Sequence, residues 1–201
     1  MAIINTPSAE EFFVAGKELL DFSWDVLADL LKNFSYAEDY GIDPAEVSEV
    51  YWRSARRRLT TALSITQQGV EFMLKGKIAA VSPYLLLADP PQKWPSPYDG
   101  LAVDFSSFRT IDAQDLVRVH DTFSPTHFDT VFVKRFNELR EKRNRLMHSV
   151  DKTLVVHIKE VVDSLLYMHK ALFPGESWAA VRRSFLLRPH RIRSWAQMNS
   201  W

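Results

Sequence analysis

The chain reads as an all-α protein, and three observations lead there. Apolar residues recur at spacings of three and four along most of its 201 residues. Only six residues are glycine, and no clear run of alternating residues is bounded by turn clusters in the way that marks strands. With 46% hydrophobic residues, the chain is long enough for one good core with appended segments. The expected architecture is an up-and-down bundle of about five main helices over residues 43–173. An acidic helical extension at 1–42 precedes it, and a helical tail rich in tryptophan and arginine follows at 174–201.

Each element has a local cause. Ser8-Ala9-Glu10-Glu11 is a capping box, in which serine and glutamate satisfy each other's backbone N–H groups at a helix start. Phe13, Leu20, Trp24, Leu27, Leu31 and Phe34 then form the stripe of a first long helix that ends before Tyr40-Gly41. Asp43-Pro44-Ala45-Glu46 restarts the chain, with Asp43 as cap and Pro44 in the first turn, where its missing N–H costs nothing. This second helix is expected to reach about Val81, with Trp52, Leu59, Leu63, Val70, Leu74 and Ile78 as its stripe. Five prolines and Gly100 interrupt residues 82–110, which predicts a long loop. Asp112 or Thr110 caps a short helix through Phe123, and Ser124-Pro125 opens the next, which runs to about Ser149. Asp151 is the expected cap of a helix carrying Leu154, Ile158, Val161, Leu165, Met168 and Leu172, stopped by Pro174-Gly175. The apolar stripes around Phe136 and Leu165 are expected to support two-fold pairing of the chain.

The formal charge is zero, but it is unevenly placed. Residues 1–50 carry two basic and eleven acidic side chains, whereas residues 130–201 carry fourteen and six. Such polarity serves either internal pairing or separate partners at the two ends. Cysteine is absent, which excludes disulfides and thiolate zinc sites. The other histidines, His120, His127, His157, His169 and His190, form no metal-ligand pattern, so no metal and no cofactor is expected. Glycine-rich phosphate loops and the G-x-S-x-G pattern are also missing, which argues against a nucleotide hydrolase or a serine esterase. No signal-peptide order and no spanning-length apolar run is present, so a cytoplasmic protein without membrane contact is expected. The final Trp201 leaves an exposed aromatic end, which suggests a shortened chain or a docking segment.

The residues that carry chemistry lie at Arg143-Asn144-Arg145-Leu146-Met147-His148. Phe132, Phe136, Leu139, Arg143, Leu146 and Val150 follow helical spacing, so Arg143 occupies a position where a core leucine is expected. Arginine stays charged and grips phosphate oxygens as a fork, while histidine titrates near neutrality and moves protons either way. Together they suit metal-free cleavage of RNA, whose own 2′-hydroxyl is the nucleophile. Five helical residues rotate by roughly 500°, so Arg143 and His148 meet only through arginine's length. Asn144 and His148, four apart, share a face. A purely structural role is the alternative: an Arg143 stem packed in the stripe with its head on Glu46 or Glu71, and a His148 favoured by the helix macrodipole.

The R-N-x-x-x-H form, with a polar residue directly after the arginine, resembles the R-x4-6-H motif of the HEPN superfamily (higher eukaryotes and prokaryotes nucleotide-binding domains). Gln67-Gln68-Gly69-Val70-Glu71-Phe72-Met73-Leu74-Lys75, Pro83-Tyr84-Leu85-Leu86 and the Phe128-to-His148 helix extend the resemblance over about residues 45–172. It implies a helical bundle that dimerises with motif helices adjacent, commonly a metal-independent endoribonuclease of toxin-antitoxin or antiviral defence systems. Arg143, Asn144 and His148 would then be the catalytic positions, with Arg140, Lys142 and Arg145 as RNA contacts. The partners implied are an RNA substrate, a second copy of the chain, and an antitoxin or other regulatory protein. Some relatives extend the motif to H-x-Y; here that place is Val150, so modification of a tyrosine is not implied. The alternative function is a catalytically idle module of the same shape that binds RNA or a nucleotide or assembles with protein.

Overall fold

The computed structural model describes residues 2–39, 44–95, 102–148 and 156–188, with side chains described for 2–36, 48–95, 102–146 and 156–188. The fold is all-α. Among the described residues it has six α-helices: α1 (Ala9–Asp39), α2 (Pro44–Ala79), α3 (Ala113–Phe123), α4 (Thr130–His148), α5 (Ile158–Leu172) and α6 (Trp178–Leu186). Two three-residue strands, β1 (Ala2–Ile4) and β2 (Ala102–Asp104), complete it. Among the described residues no helix is long and apolar enough to cross a membrane. The chain gathers into two compact units, one from Met1–Glu18 and Gln67–Ser149, the other from Leu19–Thr66 and Val150–Trp201.

In the first unit the capping box forms as its residues dictate. Ser8 N and Oγ donate to Glu11 Oε2 at 2.7 and 2.8 Å, and Glu11 N donates to Ser8 Oγ at 3.2 Å. The backbone and hydroxyl donors of Ser8 hold the Glu11 carboxyl below its ordinary range. The start of α1 then packs antiparallel against the end of α2, and glycine permits the approach. A Cβ on Gly16 would stand 2.6 Å from Met73 Cγ and 2.8 Å from the Gly69 carbonyl oxygen. One on Gly76 would stand 2.5 Å from the Phe13 ring. Because a backbone oxygen cannot give way as a side chain can, Gly16→Ala is expected to cost about 1–3 kcal/mol. Chemical denaturation should show this as a lower midpoint with an unchanged slope; an unchanged midpoint would mean that the helices separate freely there.

The strands were not expected from the sequence. They pair in parallel, Ala2 with Ala102, Ile3 with Val103 and Ile4 with Asp104. Three residues are too few to display alternation, and the partners lie a hundred positions apart, so local pattern holds no trace of the pairing. Asn5 follows β1 in the left-handed region, at φ 54°, which asparagine tolerates better than most residues. Its amide donates to Asp104 Oδ2 at 2.5 Å, tying the two strand ends together. Asp104 also accepts from Ser106 N at 2.8 Å and Ser106 Oγ at 2.6 Å. The bonds from Ser106 and Asn5 lower the pKa of this carboxyl.

In its described parts, 82–95 and 102–110, the interval 82–110 is more ordered than a loop. It holds 3₁₀ turns at Pro83–Leu86, Pro91–Lys93 and Phe105–Ser107 as well as β2. A short antiparallel clasp closes it: Ala88 N donates to Arg109 O at 2.9 Å and Ile111 N to Leu86 O at 2.8 Å. That clasp delivers the start of α3. Pro97 and Gly100 lie outside the described residues.

Two helix starts move. The fourth helix opens at Thr130 and not at Ser124-Pro125, because Asp129 supplies the cap, accepting from Phe132 N at 2.7 Å. Ser124 Oγ instead accepts from Thr126 N within the preceding turn. The fifth opens at Ile158, with His157 at the cap position and Val156 before it; Asp151 and Leu154 lie outside the described residues. So do Asp43, and the side chain of Glu46. The connection from α3 to α4 is fixed by stacking. His120, Phe128 and Phe132 have ring centroids 4.3 and 4.0 Å apart, and Phe136 follows at 6.3 Å. Asp121 Oδ1 takes both His120 Nδ1 at 2.8 Å and Phe128 N at 3.1 Å.

In the second unit Leu20, Leu27 and Leu30 of α1 share a core with Leu59 and Leu63 of α2 and with Val161, Leu165, Met168 and Leu172 of α5. Leu30 takes the place expected for Leu31, which is 46% exposed. Ser23 Oγ donates to the Ala62 carbonyl at 2.9 Å and lies 2.8 Å from Thr66 Oγ1, so its buried hydroxyl is satisfied. An ionic clamp holds α6. Arg182 bonds to Asp21, which is 2% exposed, and donates to Asp25 Oδ1 at 2.7 Å, beside the paired rings of Trp24 and Trp178. Phe136 and Leu165, the centres of the stripes expected to support pairing, are both fully buried.

Candidate nucleic-acid interface

Within the first unit α3 and α4 form a hairpin. The end of α3, at His120, stacks on the residue that leads into α4, Phe128. The other end of the hairpin is open, and a polar cleft of about 400 Å³ lies there. From α4 it receives Arg140, Arg143 and Asn144; from α2, Glu71 and Lys75; from the first turn of α3 and its approach, Thr110 to Gln114.

Each group arrives for a local reason. Gly69, Met73 and Gly76 face the start of α1, which turns Glu71 and Lys75, one helical turn apart, toward the cleft. Arg140 and Asn144 stand four apart on α4, and Arg143 continues the stripe of Phe132, Phe136 and Leu139 at the point where burial ends. The arginine that looks misplaced in the sequence therefore marks the edge of the core, where its stem packs and its head emerges into polar surroundings. Among the described residues its Nη1 donates to Asn144 Oδ1, at 3.1 Å, and not to a carboxylate.

Charge in the cleft is unbalanced. Asp112 occupies the N-cap position of α3, with φ −75° and ψ 156°, yet its carboxylate accepts from Arg109 Nη2 at 2.9 Å instead of closing the helix end. Glu71 is bonded by the buried amide of Gln67. Lys75, with its ammonium 6.0 Å from the Phe72 ring centroid, Arg140 and Arg143 supply three cations. Only Glu71 among the cleft's acids lacks an arginine already matched to it. The guanidinium Nε of Arg140 is shielded from solvent and has no hydrogen-bond partner among the described residues, a state that costs free energy until an acceptor arrives.

Not all of the expected residues meet here. Arg140, Arg143 and Asn144 line the cleft; Lys142 and Arg145 do not, and both make other contacts. His148 is the last residue of α4, one helical turn beyond Asn144, and its side chain lies outside the described residues, as does Val150. Lys75 and the approach to α3 had no role assigned from sequence. Lys75 sits within the stretch that resembles the HEPN pattern, but only tertiary packing brings it into one cleft with Arg140. Among the described residues no group of histidine and carboxylate side chains has an arrangement that would hold a metal ion.

Comparison with family models, with curated proteins and with solved structures finds no match to this chain.

Proposed function

We propose that the chain is a metal-independent endoribonuclease acting as a toxin or antiviral effector. The observation that carries this reading is the meeting of Arg143 and Asn144 with Lys75 and Arg140 in one polar cleft whose cations outnumber its acids. Such a site suits a phosphodiester better than a neutral ligand. In the proposed reaction His148 takes the proton of a 2′-hydroxyl, and the freed oxygen attacks the adjacent phosphorus. Arg143 stabilises the charge that builds on the phosphoryl oxygens, and Asn144 holds the Arg143 fork through its amide oxygen. The bond from phosphorus to the 5′-oxygen breaks, and that oxygen takes up a proton. The products are a 2′,3′-cyclic phosphate and a 5′-hydroxyl end.

Each α4 carries one histidine near the motif, while the reaction needs both a base and an acid. Two copies of the chain, each presenting His148, supply both. Light scattering is expected to report a dimer at micromolar concentration; a monomer at all concentrations would remove the two-histidine scheme. The chemistry itself is tested by incubating the protein with RNA in EDTA and identifying the new ends. A rival reading has the same cleft bind RNA or a nucleotide without cleaving it, and its support is that Lys75, Arg140 and Arg143 account for phosphate binding by themselves. Intact RNA after prolonged incubation with the dimer would select the rival.

A further inference from the structure

We infer that Lys75 and Arg140 form a second phosphate seat, so that the cleft holds two neighbouring phosphates of one single strand, the other being on Arg143 and Asn144. The inference deepens the RNA reading of the cleft and rests on it.

The two residues come from different helices, α2 and α4, and both line the cleft. Among the described residues neither is in an ion pair. Lys75 holds its ammonium 6.0 Å from the Phe72 ring centroid, and Arg140 keeps a shielded Nε without an acceptor among the described residues. A half-buried cation with no carboxylate partner is costly unless an anion completes it. Of the two carboxylates that line the cleft, Asp112 is drawn off by Arg109, itself held in the clasp between Ala88 and Ile111, and Glu71 accepts from the Gln67 amide. The first turn of α3 is left without a side-chain cap, and its N–H groups add to the positive potential of the cleft. Arg143 already shares a bond with Asn144, so the seat at Lys75 and Arg140 is chemically separate from it while lying in the same cleft.

The seat predicts a countable salt dependence. Each phosphate neutralised on a single strand contributes a slope of about 0.7 in the logarithm of affinity against the logarithm of salt concentration. The probe is a fluorescein-labelled ten-nucleotide 2′-O-methyl RNA without a terminal phosphate, which cannot be cut by its own 2′-oxygen. Its binding is followed by anisotropy in EDTA across a salt series. Lys75→Ala and Arg140→Ala are each expected to weaken binding about tenfold. Because the two cations share one phosphate, either change lowers the slope by up to about 0.7, and the double variant lowers it little further. Arg140→Lys keeps the charge and is expected to keep the slope, which separates charge from folding. Arg118→Ala, at an exposed arginine outside the cleft, is expected to change neither quantity.

The inference is overturned if Lys75→Ala and Arg140→Ala bind with the slope of the parent chain, if Arg118→Ala lowers it as much, or if the parent does not bind the probe. Binding of inorganic pyrophosphate without binding of the strand overturns the strand assignment in favour of a small anion. Cleavage is scored separately. If the salt slopes respond as expected while RNA stays intact, the nuclease reading fails and the seat stands; if RNA is cut but the variants match the parent, the seat alone fails.

Discussion

His148→Ala is expected to lower metal-independent RNA cleavage by about 10²- to 10⁴-fold, the usual contribution of a positioned proton-transfer group. Arg143→Ala is expected to cost about 10²- to 10³-fold, in line with the loss of one group that stabilises charge in the transition state. Since both act in a single step, the double variant should be little worse than the poorer single one. The two differ in their side effects. Arg143 packs its stem where the α4 stripe leaves the core and bonds to Asn144, so its loss should also reduce affinity for the uncleavable strand. Asn144→Ala is expected to cost less than Arg143→Ala, because the guanidinium keeps its charge but loses the amide that holds it. Cleavage is measured from the appearance of 2′,3′-cyclic phosphate ends in EDTA. Variants that cut as fast as the parent chain would assign the activity to other residues or to a contaminant.

The largest effect on stability is expected in the second unit. Arg182 reaches from α6 to Asp21 and Asp25 of α1, and Asp21 is almost completely buried. Arg182→Met keeps the stem but leaves a buried carboxylate without this countercharge. Breaking a buried pair from one side costs about 3–5 kcal/mol, largely through the stranded charge. Removing both charges with Asp21→Leu and Arg182→Met should recover much of that loss, since packing then replaces an ion pair whose desolvation was already expensive. Urea unfolding followed by tryptophan fluorescence is the suitable measurement, because the rings of Trp24 and Trp178 lie 6.0 Å apart beside the clamp. A loss below about 1 kcal/mol would place the pair with ordinary surface ion pairs.

Where stability depends on nearest neighbours in the sequence, the sequence was readable. The Ser8 to Glu11 box is a contact across three residues. Of the expected stripes, Leu59, Leu63, Val70, Leu74 and Ile78, and Val161, Leu165, Met168 and Leu172, are buried, whereas Trp52 and Ile158 are half-buried. Leu30 and Leu31 show the limit of this: adjacent residues differ by about 100° around a helix, and periodicity over a long segment does not decide between them when the contact face drifts. Asp129 defeated the expected start of α4 because a single capping bond at a polar residue outweighs a proline signal. The candidate site divides the same way. Arg140, Arg143 and Asn144 were legible because one helix orders them, whereas Lys75 and the first turn of α3 enter only through the packing of α1 on α2 and the clasp at Ala88 and Ile111. Neither contact leaves a mark in local composition.

The division of the chain into two units, each built from separated stretches of sequence, sets an order on its synthesis. A nascent chain that has left the ribosome as far as Thr66 already contains the first eighteen residues, but the helix face around Gly16 has nothing to close on until Gly69 to Gly76 follow. The strand at Ala2–Ile4 waits longer still, for Ala102–Asp104. Contacts so distant in sequence slow folding and lengthen the interval in which apolar faces stand open. No stretch of chain ending before Arg140 holds the arginines of the cleft, so its cationic surface is assembled only after that residue has emerged.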